Sequence, residues 1–224
     1  MMRIKSLSLL IIVLLIPAGL TGQKSDFGLW YEFSAERELV KGLRIEAEAS
    51  LRTDNNASRA ESWYFEPGLR YKLNEYFAAG IYYRFIQQVE NDDRFHARHR
   101  WFVQLKGDLP VSRFTFSARY RVQQQFKTYI KDQEDEIPVW SHRLRVELDY
   151  DVKSLPLTPY INAEMYNRVF AGNDIGVEKM RYMAGVEYTI AKRHTVGIEY
   201  VYQDSNVSKP AWLNAVSLNY AVKL

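Results

Sequence analysis

The residues of this 224-residue chain best able to carry a reaction are its four histidines, His96, His99, His142 and His194. The chain has no cysteine, which excludes a thiol nucleophile, a thiolate metal site and a disulfide framework. A hydrolytic site would need a hydroxyl beside an imidazole base. Ser141 and His142 are adjacent, and adjacent side chains of an extended segment leave on opposite faces, so they do not form that pair. His96 and His99 are separated in the same way, which argues against a shared metal ion. His194 falls in a short turn and reads as solvated. The acidic run Asp132, Glu134, Asp135 and Glu136 reads as a solvated loop, and the chain has no glycine-rich phosphate cradle. The expectation is therefore no catalytic residue, no metal ligand and no cofactor. The remaining chemistry is charge on alternating positions, and that requires asking which elements position it.

From Asp26 onward the pattern has period two. Leu43, Ile45, Ala47, Ala49 and Leu51 alternate with Arg44, Glu46, Glu48, Ser50 and Arg52. Phe114, Phe116, Ala118 and Tyr120 alternate with Thr115, Ser117, Arg119 and Arg121. Such segments are strands with one apolar and one polar face. Eleven are expected: 27–37, 43–52, 62–73, 76–88, 96–109, 114–126, 140–151, 158–168, 179–190, 194–204 and 211–224. Their connections alternate between tight turns and longer loops rich in Asp, Asn, Gly and Pro. Strands of this length exceed the usual five or six residues of soluble proteins and suit a tilted membrane crossing of about 9–11. No segment past the N-terminus has the apolar length of a spanning helix, so a closed sheet is what satisfies the backbone in lipid. The fold class is all-β: a single antiparallel transmembrane β-barrel of about 10–12 strands, with short periplasmic turns and longer extracellular loops. Bacterial barrels have even strand numbers. Ten or twelve strands is the expectation, and residues 23–42 are where the eleven-segment reading would err.

The polar faces carry arginine far more than lysine. A confined interior explains this bias, because the flat guanidinium forks onto carboxylates and is less strongly hydrated than ammonium. The expected lumen lining is Arg44, Glu46, Glu48, Glu66, Arg70, Arg84, Arg98, Arg100, Arg119, Arg121, Arg143, Arg145, Glu147, Glu164, Glu187 and Glu199. Aromatic residues cluster by depth. Trp30, Trp63, Trp101, Trp140 and Trp212 lie toward the long-loop ends, and Tyr71, Phe77, Phe114, Tyr150 and Tyr188 at the turn ends. Two such belts are the expected membrane girdles.

Residues 1–22 read as a signal peptide: Arg3 and Lys5, an aliphatic run, then small residues. Residues 23–224 would form the barrel domain. Removing the leader leaves a nearly neutral chain, so nucleic acid is not an expected partner. The expected location is the outer membrane of a Gram-negative bacterium. The expected partners there are outer-membrane lipid and lipopolysaccharide, the outer-membrane insertion machinery, and a small polar solute.

Asp26-Phe27-Gly28-Leu29-Trp30, the stretch Leu43 to Arg52, and Glu66-Pro67-Gly68-Leu69-Arg70-Tyr71 followed by Tyr82-Tyr83-Arg84 resemble the domain of unknown function family 2490. His99-Arg100 and His142-Arg143-Leu144-Arg145 are similar to its strand starts. The resemblance covers essentially the whole mature chain. It implies an outer-membrane β-barrel and no established activity. Function is then expected to be a closed structural or surface barrel, or a narrow pore with an Arg/Glu-lined lumen. The alternatives are a rim enzyme acting on lipid or lipopolysaccharide, and a soluble secreted barrel binding a small ligand.

Overall fold

Period-two patterning produces strands throughout the computed structural model, which describes residues 25–90, 92–130, 138–170, 176–206 and 212–224. The expected signal peptide and the acidic run at 132–136 lie outside the described residues. The strands are β1 (Ser25–Val40), β2 (Leu43–Asp54), β3 (Arg59–Lys72), β4 (Phe77–Val89), β5 (Phe95–Val111), β6 (Phe114–Lys127), β7 (Val139–Tyr150), β8 (Leu157–Phe170), β9 (Gly176–Ile190), β10 (His194–Ser205) and β11 (Trp212–Lys223). Each expected segment is a strand, and the ends differ by at most three residues.

The strands form one closed barrel in which every sequential pair is antiparallel. The expectation of an even number is corrected: there are eleven strands among the described residues, and residues 25–42 hold one of them, β1, and its turn. An odd number closes because β1 and β11 pair in parallel, with register running from Ser25↔Trp212 to Glu36↔Lys223. The start of β1 is therefore at the long-loop rim and the end of β11 at the turn rim. Side chains tie that start down: the Asp26 carboxylate accepts from the amides of Asn55 (2.9 Å) and Asn56 (2.8 Å).

Eleven strands spaced about 4.8 Å and tilted about 40° give a cylinder roughly 22 Å across between backbones. Its apolar faces point outward. Phe33, Ile45, Phe65, Ile81, Phe116, Val146, Ile161, Ile198 and Leu218 are all exposed, while Glu164, Arg121, Arg143 and Ser217 are buried. This is the reverse of a water-soluble ligand-binding barrel. On the outer face, Tyr71 lies eight positions beyond Trp63 and Tyr150 ten beyond Trp140. At about 3.3 Å per residue and the same tilt the band is roughly 20–25 Å tall, close to the apolar belt of outer-membrane barrels. A closed sheet of this kind is expected to resist detergent. Unboiled protein should run at a different gel position from boiled protein, and identical mobility would argue against a closed barrel.

Candidate functional site

The site is the bore. Ladder register places each expected lumen residue in the inward phase, from Arg44, Glu46 and Glu48 on β2 through Glu187 and Glu199 on β9 and β10. It also places inward several residues that polarity does not mark: Tyr64, Ile86, Phe102, Met183, Val201 and Ala215, all buried. Phe102 sits between Trp101 and Val103, so the local sequence reads as a continuous apolar run. Only counting from Arg98 and Arg100 would have assigned Phe102 to the inner face.

At mid-height the side chains meet. Glu164 is 0% exposed and receives three guanidiniums: Arg119 Nη2 at 2.7 Å, Arg143 Nη2 at 2.9 Å and Arg145 Nη2 at 3.1 Å. The Tyr166 hydroxyl donates to the same carboxylate at 3.1 Å and accepts from Arg143 (2.7 Å) and Arg181 (2.8 Å). Across the bore, Arg84 pairs with Glu66 and lies 3.6 Å from the centre of the Tyr64 ring, and the Tyr64 hydroxyl bonds Glu48. Pro67, with no N–H, adjoins Glu66, and pairing of β3 with β4 resumes at Gly68. Each pairing meets a requirement of burial: a charge taken out of water must find a partner or cost several kcal/mol.

Nearer the turns, Glu36 gathers Arg44 (3.0 Å) and Arg70 (2.8 Å), and Arg70 also reaches Glu46 at 2.5 Å. Two tyrosines span three strands each by lying over a glycine. Tyr82 on β4 crosses Gly68 on β3 and donates to Glu46 on β2 at 2.7 Å. Tyr160 on β8 crosses Gly185 on β9, in the ladder row that holds Glu199 on β10. A Cβ at Gly68 would lie 2.0 Å from the Tyr82 ring, and one at Gly185 2.6 Å from the Tyr160 ring. Two cavities of ≈ 240 and ≈ 300 Å³ open on this side of the Glu164 layer. Glu46, Arg70, Lys106 and Arg119 contribute to the first, and Glu32, Glu187, Glu199 and Asn219 to the second.

The outer aromatic residues are placed as follows. Trp63, Tyr71, Phe77, Phe114 and Tyr188 are exposed, and Trp101, Trp140, Trp212 and Tyr150 half-buried. Trp101 and Trp140 meet edge to face at 5.3 Å. Trp30 does not belong to a girdle. It is 3% exposed and inward, stacked under Arg52 with the guanidinium 4.1 Å from the ring centre. The reason is phase: Trp30 pairs with Arg52 and Ser217, so the outward residues of this stretch of β1 are Leu29 and Tyr31.

The histidines are dispersed. His99 bonds Tyr83, and His142 bonds Tyr120, on the outer face. His194 is not a turn residue. It opens β10, pairs with Val222 in the outward phase, and bonds the Tyr220 hydroxyl at 2.7 Å. His96 bonds Asp92 and stacks on Tyr129 at 4.0 Å. Among the described residues no group of three or more His, Asp and Glu is arranged around a metal position.

A closed barrel with apolar faces outward and charge within is a barrel of the outer-membrane type. Solved structures agree on the fold. The NanC porin superposes with a TM-score of 0.52 at 17% identity over 89% of this chain and 99% of its own. The β domain of the Bordetella autotransporter BrkA superposes with a TM-score of 0.51 at 10% identity, over 82% of each chain. No curated protein matches the sequence. The chain belongs to the family described as "Protein of unknown function (DUF2490)", which matches residues 27–214.

Proposed function

We propose that this protein is a non-enzymatic barrel of the Gram-negative outer membrane, with a bore closed at mid-height by its own side chains. The observation that carries this reading is the buried layer around Glu164. Glu164, Phe102 and Val201 are 0% exposed, and Arg121, Arg143 and Tyr166 no more than 6%. Eleven strands leave a bore wider than that of eight-stranded barrels, and here long arginine and tyrosine side chains fill it. In this reading the turns face the periplasm and the long loops the cell exterior. The aromatic belts contact outer-membrane lipid and lipopolysaccharide, and the insertion machinery delivers the chain. The fold's likeness to a porin and the two turn-side cavities favour a second reading, a narrow passage for a small polar solute.

Planar-bilayer recording separates the two. The closed reading expects no stable conductance steps from the wild-type barrel in molar salt. Discrete, long-lived openings in every salt would overturn it in favour of the passage.

A further inference from the structure

Ion pairing in the bore is lopsided along its length. One transverse ladder row carries Gln104, Arg121, Arg143, Tyr166 and Lys179 on five successive strands. Of its three cations, only Arg143 touches a carboxylate, Glu164. Arg121 is 5% exposed. Its Nη2 donates to Gln104 at 2.8 Å, its guanidinium carbon lies 3.7 Å over the Phe102 ring centre, and its Nε has no hydrogen-bond partner among the described residues. Lys179 has its Nζ 4.7 Å over the Tyr166 ring. Arg181, 9% exposed, is held by Gln203 (2.7 Å) and the Tyr166 hydroxyl, and Arg100 by Gln125. None of Arg100, Arg121, Lys179 and Arg181 has a carboxylate within ion-pair distance among the described residues. These four come from β5, β6 and β9, and Lys179 lies within electrostatic reach of Arg100, Arg143 and Arg181 and, at longer range than an ion pair, of the Glu178 and Glu61 carboxylates.

The other side of the Glu164 layer has the opposite surplus. Asp149, Glu187 and Glu199 line the turn-side cavity, and none is ion-paired with an arginine among the described residues, although the cavity wall also includes Arg145 and reaches Arg52 and Arg181. Amides and aromatic faces solvate a guanidinium only in part, so a buried surplus of cations is costly until a counter-charge arrives. A planar guanidinium fork is matched in shape to a two-oxygen anion.

We propose that the loop-facing half of the bore, at Arg100, Arg121, Lys179 and Arg181, binds an oxyanion: the carboxylate or phosphate of a small solute that enters from the long-loop mouth. The carboxylates of the turn-side cavity, which reaches Arg181, repel the same ligand from that end. The site's enclosure by the barrel wall excludes a lipid headgroup held in the surrounding leaflet. The site does not depend on whether the bore is closed.

The test is isothermal titration of the full, detergent-folded barrel with inorganic phosphate and with glucuronate, using glucose as the neutral control. Both anions should bind and glucose should not. Raising the sodium chloride concentration should weaken binding. The double variant Arg121→Gln/Lys179→Gln should weaken it about tenfold or more, which is ~1.4 kcal/mol or more. Glu187→Gln, on the far side of the layer, should not weaken it. Variants are compared only after their boiled and unboiled forms separate on a gel, so that loss of binding is not loss of folding. Absence of binding by either anion, or equal affinity in the double variant, would overturn the site. Conductance is read separately: channel opening together with intact anion binding would overturn only the closed-barrel reading.

Discussion

Replacing Glu164 with alanine is expected to cost about 3–5 kcal/mol of barrel stability, the usual penalty for removing one partner of a buried charge cluster. The residue is fully buried and its carboxylate is shared by Arg119, Arg143 and Arg145. Without it three guanidiniums face one another at mid-bore, and Tyr166 loses the acceptor for its own proton. Solvent screening gives no relief at a site with no exposure. The measurement is reversible denaturant unfolding in detergent, followed by tryptophan fluorescence and by the loss of heat-modifiable gel mobility. Glu164→Gln, which keeps the shape and one acceptor oxygen, should fall between wild type and alanine. A cost under about 1 kcal/mol for Glu164→Ala would mean that the cluster is solvated and the layer leaky, because exposed ion pairs contribute no more than that. The same variant should admit current where the wild type does not, since the three arginines must separate to lower their mutual repulsion.

The second large effect is expected at a residue with no side chain. Gly68→Ala places a methyl 2.0 Å from Cδ1 of Tyr82 and 2.5 Å from Cε1, against one edge of the ring. These are rigid aromatic atoms, so Tyr82 must leave its position. It then gives up its bond to Glu46 at 2.7 Å and its stacking on Phe102 at 4.9 Å. Overpacking of this kind typically costs about 1–3 kcal/mol, and the lost hydrogen bond to a carboxylate adds about 1.5–3. Gly68→Ala should therefore slow folding into detergent or lipid and lower the unfolding midpoint. Tyr82→Phe, which keeps the ring over Gly68 and removes only the bond, should lose about half as much. Equal losses in the two variants would show that the ring's fit over the glycine contributes nothing.

How much of this was legible in the chain follows from what period two encodes. Alternation is local, so residues such as Leu43 to Arg52 specify both a strand and the two faces it presents. The arginine excess on one phase then marks the enclosed side. Eleven strands could be counted in this way, but the number looked wrong, because evenness is a rule about how ends meet and no residue in β1 or β11 announces a parallel partner. Trp30 was misplaced for a related reason. Its depth along β1 fitted a girdle, but its phase depends on its being opposite Arg52 and Ser217, and those partners come from two other strands.

The sequence alone determined an all-β barrel with charge on one face and hydrocarbon on the other, because a two-residue repeat is read one strand at a time. Only the tertiary structure decided which charges neutralise one another. Three arginines from two strands close on Glu164, while among the described residues Arg100, Arg121, Lys179 and Arg181 receive amides, a tyrosine hydroxyl and aromatic rings but no carboxylate. Pairing across a bore depends on register, tilt and closure, and those are properties of the whole cylinder.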